Sequence, residues 1–549
     1  MVRIFPNPFR SAKNIANFCL TIGAALALNT LLSFHNIWPT PWIRLRPEIS
    51  AEAMAMILLL GLLSAKGLAQ RRNVHYILTA VLVILIVGRY IDVTAPALYG
   101  RPINLYWDAQ HVPRVAAMLI KDAGTTVLIL TGLCSTLGLI VLVWSSSKLL
   151  SLLSSCGKTS QRWLTVTAIL CLVFYAAGML SNSIKFERAF SIPISLMYVR
   201  QAIFSYQAGN IDWVKETSTS KLADDAGYVE LDGRDFYLMF LESYGTTVFQ
   251  NPTYFTHIRP SLEKLSQVAE EYGWHTATGI YQAPTFGGAS WLSHATLMTG
   301  HWISTNTHYH KLLTTNSKTL ALWFQNSGYR ATALLPGLKR EWPEGKFYGY
   351  DRVWNAKSLS YPGPPFGWWE IPDQYSLAYF YHNEGAIDLR DPLFSFFATI
   401  TSHMPFHPLP PIEQDWPSLL SSEPYPNVEK VMKGNGVLSG QDLQTSYSKA
   451  IIYDIQLVSD LLRLTSHQNP LVIALGDHQP PAMIAGANAP WTVPVHVFSQ
   501  DQTTLDRFNS AGFVRGLIPN NKTLGRLDEL HQLILHTANA KKQTSNYQN

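Results

Sequence analysis

The stretch "PLVIALGDHQPP", Pro470–Pro481, decides how the second half of this chain folds. Its apolar run Leu471–Leu475 ends at a glycine, a pattern typical of a buried strand. Asp477 and His478 follow the glycine directly. Taken alone, such a pair is more often a solvated turn than a site, so its interpretation depends on what the other strands of the chain present at their ends.

Apolar, strand-like runs alternate with helical patterns from Asp235 onward. The runs are Phe236–Phe240, Ala331–Leu335, Leu393–Ile400, Leu471–Leu475 and Val493–Phe498. Alternating strands and helices, with strands apolar on both faces, are typical of a parallel sheet covered by helices on both sides. The sequence therefore predicts an α/β/α sandwich with a mostly parallel sheet.

Ionisable side chains stand within three residues of the end of three of these runs. Glu242 follows the first, His403 the third, and Asp477 with His478 the fourth. Ligands bind at the carboxyl ends of the strands in open parallel sheets, and these ends lie on one edge. Carboxylate oxygens and imidazole nitrogens gathered there would suit one divalent metal ion, Zn²⁺ or Mn²⁺.

A serine follows two glycines in "TFGGASWLSHATLMTG", Thr285–Gly300. The short helical pattern after the glycines ends at Gly300, a plausible C-cap. Ser290 is therefore predicted at a helix N-terminus, where backbone N–H groups favour an anion. A plain N-cap is the alternative role for this serine, and Thr285 is the alternative nucleophile. His496, inside a predicted strand, is interpreted as a hydrogen-bonded core histidine.

Five long apolar segments occupy the first third of the chain. They are Ile15–Leu32, Ala51–Ala65, Tyr76–Val87, Thr125–Trp144 and Trp163–Leu180. Three of them approach the ~20 residues that a spanning helix needs. The other two extend through "KGLA" and "GRYIDV", which would place the long side chains of Lys66 and Arg89 near helix ends, where they can reach water. We expect five transmembrane helices.

Lysine and arginine in the loops between these segments indicate an orientation. With the N-terminus inside, the inner loops carry nine such residues and the outer loops five, so the positive-inside rule places everything after Leu180 outside the cytoplasm. The first segment has no evident cleavage site and is predicted to be an uncleaved anchor. All four cysteines (positions 19, 134, 156 and 171) precede Leu180, which excludes thiolate ligands from the exported part.

Composition changes along the chain predict its domains. Residues 1–185 form the expected membrane domain, 186–234 a juxtamembrane linker, 235–535 a catalytic domain and 536–549 a disordered tail. The net charge of +5 comes without a basic cluster, so nucleic acid is not an expected partner.

The motifs "FLESYG", "GASWLSHATLMTG", "TSHMPF" and "GDHQPP", in this order, resemble the sulfatase-like branch of the alkaline phosphatase superfamily. With five preceding spans, the chain is similar to membrane phosphotransferases of the lipoteichoic acid synthase and phosphoethanolamine transferase type. The resemblance covers roughly residues 235–500 and implies an alkaline-phosphatase-like fold. It also implies that Glu242, Ser290, Asp477 and His478 are the metal ligands and that Ser290 is the nucleophile.

The same resemblance implies two further roles. His403 matches a histidine that contacts the substrate phosphate or the leaving group, and Trp342 matches a substrate-binding tryptophan. Two departures from the family pattern narrow the range of reactions that the resemblance implies. Glu344 stands where the lipoteichoic acid enzymes carry an arginine, which argues against glycerol phosphate polymerisation. The proline and arginine that accompany formylglycine formation in sulfatases are absent after Ser290, so we expect an unmodified serine and phosphoryl chemistry.

The sequence thus predicts a metal-dependent phosphotransferase of the bacterial inner membrane, with its catalytic domain on the periplasmic or extracellular side. It would move phosphoethanolamine or phosphoglycerol from a membrane phospholipid to an envelope glycan or lipid hydroxyl through a serine-linked intermediate. Two alternatives stay open: a sulfuric ester or phosphodiester hydrolase, and a non-catalytic membrane protein that binds a glycan or a partner. A transporter is disfavoured, because the apolar segments contain few charges.

Overall fold

The structure, a computed structural model, describes most of the chain. The described ranges are 12–99 except 39, 125–181, 189–207 and 231–539 except 232, 340, 341, 368, 388, 427–439 and 487, with isolated positions between 103 and 120. The chain divides into two compact units, Met1–Asn210 and Ile211–Asn549.

The first unit is helical. Its elements are α1 (Ala12–Ser33), β1 (His35–Asn36), β2 (Ile43–Arg44), α2 (Ala51–Ala65), α3 (Arg72–Tyr99), α4 (Thr125–Ser154), α5 (Lys158–Ser181) and α6 (Ile194–Gln207). Among the described residues, α1, α3, α4 and α5 are long and apolar enough to cross a membrane. The second predicted span, α2, is an apolar helix of 15 residues, so four of the five predicted spans have the full length and one is shorter.

Arg89 differs from its expected position. It lies inside α3 and not near its end, and only 2% of it is exposed. Its Nε donates to the Phe34 carbonyl oxygen (2.9 Å) and Nη1 to the Ile192 carbonyl oxygen (3.0 Å). Helix α3 continues through "GRYIDV", as expected, but runs on to Tyr99, so Arg89 lies within the helix and its guanidinium is hydrogen-bonded instead of extending to water.

The second unit is built on a mixed sheet of nine strands. The strands are β3 (Phe236–Leu241), β4 (His275–Gln282), β5 (Arg330–Leu335), β6 (Arg352–Asn355), β7 (Leu393–Ala398), β8 (Leu471–Gly476), β9 (Thr492–Ser499), β10 (Val514–Arg515) and β11 (Thr523–Arg526). Their order is β10-β4-β9-β8-β3-β7-β5-β6, with β11 also paired to β4. Strands β8, β3, β7 and β5 are parallel, as predicted, and so is β6, which the sequence did not predict; β9 is antiparallel to both of its neighbours.

Helices cover both faces of this sheet. They are α7 (Thr247–Gln250), α8 (Pro252–Glu271), α9 (Ser290–Thr299), α10 (Asn306–Leu312), α11 (Leu320–Asn326), α12 (Gly345–Tyr348), α13 (Ala356–Leu359), α14 (Asp373–Phe380), α15 (Trp416–Leu419), α16 (Gly440–Thr465), α17 (Ala482–Ala485), α18 (Gln502–Ser510) and α19 (Leu527–Asn539). A π-helical turn, Tyr381–Gly385, extends α14, and a 3₁₀ turn, Ser466–Gln468, extends α16.

Two apolar cores form because side chains alternate along each strand. In β3, Phe236, Leu238 and Phe240 pack into one core with α9 and α19. Tyr237, Met239 and Leu241 point to the opposite core, which includes α8 and α16. The predicted α/β/α sandwich is therefore confirmed.

Two predicted segments are only partly described. Helix α6 falls within the predicted linker, and residues 182–188 and 208–230 lie outside the described residues. Helix α19 reaches Asn539, so the first four residues of the predicted disordered tail form its last turn, and residues 540–549 lie outside the described part.

Candidate metal centre

Glu242, Asp477 and His478 meet at one edge of the sheet. Glu242 follows β3, and the other two follow β8, its parallel neighbour. One ligand atom from each side chain lies within 4.8 Å of the others. The three residues are 6%, 1% and 1% exposed. Parallel pairing of two buried strands thus brings together the three side chains that the sequence placed at strand ends.

Ser290 begins α9 and its side chain points into this group. Its Oγ donates to Glu242 Oε2 (2.9 Å) and lies 3.2 Å from His478 Nε2. The N-cap residue is Ala289, so Ser290 does not serve as the cap. The helix ends at Gly300, as predicted. Thr285, the alternative nucleophile, donates its hydroxyl to the Gly288 carbonyl (2.6 Å) and closes the loop that precedes Ser290.

The ring orientation of His478 follows from one hydrogen bond. Nδ1 lies 2.8 Å from the Gln479 carbonyl oxygen. A carbonyl oxygen only accepts, so Nδ1 carries a hydrogen and Nε2 is the ring nitrogen that faces the cluster. That Nε2 lies 3.5 Å from Glu242 Oε1 and 3.4 Å from Asp477 Oδ2.

The two carboxyl groups have opposite electrostatic environments. Burial and the neighbouring Glu242 carboxylate raise the pKa of Asp477 well above its ordinary value. Burial also opposes ionisation of Glu242, but the imidazoles of His478 and His403 outweigh it and lower the pKa of Glu242. Glu242 therefore ionises more easily than Asp477, and the charge on Glu242 disfavours ionisation of Asp477.

A divalent cation fits this set of atoms. Two carboxylates and an imidazole lone pair are all acceptors, and a cation would let both carboxyls ionise together. Oxygen and imidazole nitrogen ligands suit Zn²⁺ or Mn²⁺. The site chemistry agrees with the metal expected from the sequence, while the ion itself remains a proposal.

Gln479 is a supporting residue that the sequence reasoning missed. It is fully buried, and its carbonyl accepts hydrogen bonds from both Gly287 N–H (3.0 Å) and His478. Its side chain donates to Thr246 Oγ1 (3.0 Å) and to the Pro490 carbonyl (2.9 Å). Gln479 therefore ties the loop before Ser290 to the end of β8. In the sequence, only its position directly after Asp477 and His478 points to this role.

His403 acts electrostatically on the metal-ligand cluster, whereas Trp342 packs among aromatic side chains. His403 follows β7, its Nδ1 lies 2.7 Å from the Met404 carbonyl oxygen, and it acts electrostatically on Glu242. Trp342 stacks on Tyr348 and contacts Tyr350, with ring centroids 5.3 and 6.4 Å apart. Its main-chain carbonyl accepts from Gly345 N–H (3.0 Å), and among the described residues its ring contacts are not with the metal-ligand cluster.

His496 is a core histidine, as interpreted from the sequence. It is 3% exposed; its Nε2 lies 3.0 Å from the Tyr244 hydroxyl and its Nδ1 2.8 Å from Thr278 Oγ1. Both ring nitrogens have partners, and burial lowers the pKa of His496 to about 3.

Comparison with known proteins gives matches among solved structures. No protein-family model matches the chain, and no curated protein matches it. A protein of the alkaline phosphatase superfamily from Vibrio parahaemolyticus is 18% identical, with a TM-score of 0.35 over 50% of this chain. This chain covers 61% of that structure's length.

Two further structures carry more specific names. The lipoteichoic acid synthase LtaP from Listeria monocytogenes is 14% identical, with a TM-score of 0.34, over 53% of this chain and 71% of its own. The periplasmic domain of the phosphoethanolamine transferase EptC from Campylobacter jejuni is 14% identical, with a TM-score of 0.36, over 57% of this chain and 91% of its own.

Proposed function

We propose that this chain is a membrane-anchored, metal-dependent phosphotransferase with Ser290 as its nucleophile. One observation carries the proposal: Ser290 Oγ lies 2.9 Å from Glu242 Oε2 and 3.2 Å from His478 Nε2 at the start of a helix. A serine hydroxyl in contact with a carboxylate and an imidazole, in a group able to bind a cation, suits nucleophilic attack on phosphorus.

The proposed ligands are Glu242, Asp477, His478 and the Ser290 oxygen. A divalent cation held there supplies positive charge that stabilises the phosphoryl oxygens and the nucleophile. The protein positions the ligands through contacts of its own. Ser243 N–H and His478 N–H both donate to Asp477 Oδ1, at 2.8 and 2.7 Å, so the other carboxylate oxygen faces the cluster.

In the first half of the reaction, Ser290 Oγ forms a bond to the phosphorus of a phospholipid headgroup. The bond from phosphorus to the glyceride oxygen breaks, and diacylglycerol leaves with a proton on that oxygen. In the second half, an acceptor hydroxyl attacks the phosphoserine and loses its proton, and the Ser290 hydroxyl is restored. Each half balances in atoms and charge: Ser290 loses its hydroxyl proton while the glyceride oxygen gains one, and then the acceptor hydroxyl loses its proton while the Ser290 oxygen gains one.

His403 is proposed to move these protons. Its Nδ1 lies 2.7 Å from the Met404 carbonyl oxygen, which only accepts. Nδ1 is therefore protonated, and Nε2 is the position that gains and loses a proton. His403 would donate to the leaving glyceride oxygen and accept from the incoming hydroxyl.

Phosphatidylethanolamine is the proposed donor, ahead of phosphatidylglycerol. Glu344 and Lys346 help to line a cleft of about 710 Å³, as does Pro343, which follows Trp342 in the sequence. A carboxylate in this cleft would attract an ammonium group. Trp342 is proposed as a substrate-binding residue at this cleft. The acceptor is proposed to be a hydroxyl of an envelope glycan or lipid.

The proposed location is the bacterial inner membrane, with the catalytic domain, residues 235–535, on the periplasmic or extracellular side. Four helices long enough to span a membrane support a membrane protein. The excess of lysine and arginine in the predicted inner loops supports this orientation.

The test is mass spectrometry of the peptide that contains Ser290, from full-length protein incubated with each lipid and Zn²⁺ or Mn²⁺. We expect a phosphoethanolamine adduct on Ser290 together with released diacylglycerol. Ser290→Ala should form neither, and Ser290→Thr should retain part of the activity, because the hydroxyl survives. Diacylglycerol release that is unchanged in Ser290→Ala would overturn the mechanism.

The metal is tested separately by elemental analysis of the purified protein. About one Zn²⁺ or Mn²⁺ per chain is expected from the single group of ligands. Asp477→Ala should lose the metal, because it removes a charged ligand, whereas His467→Ala, at an exposed histidine, should keep it. A wild-type protein that is active without metal would contradict the proposed centre.

A further inference from the structure

Ser402 lies between two proposed functional residues. It directly precedes His403, and its Oγ is 2.7 Å from the main-chain carbonyl oxygen of Glu242. The same Oγ is 2.5 Å from Oδ2 of Asp454, on α16. Ser402 and Asp454 are both fully buried.

Counting hydrogens decides which group donates. A serine hydroxyl has one hydrogen, and a carbonyl oxygen can only accept. If Asp454 were ionised, both neighbours of the Ser402 oxygen would be acceptors, and one of the two short contacts would be a repulsion between lone pairs. If Asp454 carries a proton, it donates to Ser402, and Ser402 donates to Glu242. This arrangement gives each of the two contacts a hydrogen of its own.

The surroundings of Asp454 also favour the neutral acid. The titratable groups that face it are Asp373, Glu242 and Asp477, with the tyrosines Tyr244, Tyr447 and Tyr453. In the described part of the chain, no lysine or arginine pairs with it, and its buried Oδ1 accepts no hydrogen bond. Burial, and then the nearby Asp373, raise the pKa of Asp454 well above its ordinary value.

Asp373 also binds the loop that leads to His403, but as a hydrogen-bond acceptor. Its Oδ2 accepts hydrogen bonds from Ile400 N–H (2.9 Å) and Thr401 N–H (2.6 Å). One carboxyl group therefore accepts from the loop that leads to His403, while the other donates to it. A single proton on the pair, placed on Asp454, also removes the repulsion between two buried carboxylates.

We propose that Asp454 is a positioning residue that acts as a neutral carboxylic acid, donating through Ser402 to the Glu242 main chain. This hydrogen-bonded chain fixes the metal ligand Glu242 relative to His403. The positioning role rests on the proposed function of those two residues, whereas the protonation of Asp454 does not depend on it.

The first test is infrared difference spectroscopy of full-length, metal-loaded wild type against Asp454→Asn at neutral pH. The amide of asparagine can donate to Ser402 in place of the acid, so the variant should fold. We expect the wild type to show the carbonyl stretch of a neutral carboxylic acid that the variant lacks. If the variant loses only carboxylate bands, Asp454 is ionised and the inference is wrong.

The second test is the dependence of stability on pH. Above the ordinary aspartate pKa of about 4, the unfolded chain releases a proton that the native protein keeps. The wild type should therefore lose stability relative to Asp454→Asn as the pH rises from 4 to 8. A difference in unfolding temperature that stays constant over this range would overturn the inference.

The third test concerns positioning. Asp454→Ala should slow adduct formation on Ser290 by about 10-fold or more, as typical for loss of a group that orients a metal ligand, and Asp454→Asn should recover most of that loss. Equal rates in Asp454→Ala and wild type would refute the positioning role. If the wild type itself forms no adduct, the proposed function fails while the spectroscopic and pH results still decide the protonation of Asp454.

Discussion

Replacing Gly476 by alanine should damage both the fold and the metal site. Gly476 ends β8, is paired with Leu241 and directly precedes Asp477. A Cβ at this position would lie 1.8 Å from the carbonyl oxygen of Tyr244 and 2.8 Å from its carbonyl carbon. Both obstacles are backbone atoms, so no side-chain rotation can relieve the contact.

The size of the effect follows from that distance. An ordinary contact needs about 3.5 Å, so the end of β8 and the turn after Glu242 must separate by roughly 1.7 Å. Overpacking of this kind costs about 1–3 kcal/mol of the free energy of unfolding, and occasionally more. The same displacement moves Asp477 away from Glu242, and we expect metal affinity to fall by roughly 10- to 100-fold.

The assay compares full-length Gly476→Ala with Gly138→Ala, where a Cβ meets nothing within 4 Å. Thermal unfolding and a metal titration are measured on the monodisperse fraction of each protein. The first variant should unfold at a lower temperature and bind Zn²⁺ more weakly, whereas the second should match the wild type in metal binding. Gly476→Ala with wild-type stability and affinity would refute the reasoning from the close approach of the two strand ends.

Three further outcomes are expected. His403→Ala should slow headgroup transfer by about 10²–10⁴-fold and remove one limb of the pH–rate profile, while His467→Ala should leave both unchanged; an unaltered profile in His403→Ala would exclude its proton-transfer role. A reporter active only outside the cytoplasm should work when fused after residue 230 and fail near Lys158, and the reverse pattern would refute the orientation. Burial lowers the pKa of His496 to about 3, so between about pH 6.5 and 3 the unfolded chain takes up a proton that the native protein does not. The free energy of unfolding should therefore fall by up to about 1.4 kcal/mol for each pH unit of acidification over this range. Unfolding temperatures of the wild type should fall more steeply with acid than those of His496→Gln, and parallel curves would contradict this.

The strand ends were predictable because they depend on local sequence and on one topological rule. A buried apolar run followed at once by Glu242, or by Asp477 and His478, needs only parallel pairing to become a cluster, and β3 and β8 pair in this way. Ser290 was predictable for a similar reason, since two glycines followed by a helical pattern place it at a helix start.

The missed features depend on contacts between distant segments. Strand β4, "HTATGIYQ", has a weak apolar pattern because it mixes threonine, glycine and glutamine, and its pairing with antiparallel β9 supplies the burial. Gln479 and Ser402 are ordinary polar residues in the sequence. Their roles appear only when the loop before Ser290 and helix α16 are placed beside them.

Two strained backbone conformations lie next to residues of the proposed centre. Ser243 and Ala289 adopt left-handed conformations, with φ of 58° and 63°, one beside Glu242 and the other beside Ser290. Such conformations cost on the order of 1–3 kcal/mol each in residues with a side chain. At Ser243 the cost is offset locally, because its N–H donates to Asp477 Oδ1 (2.8 Å) and its hydroxyl to Glu242 Oε1 (3.0 Å). A glycine there would relieve the strain but would lose the hydroxyl that orients one ligand, so the strained serine is the residue that serves the geometry of the site.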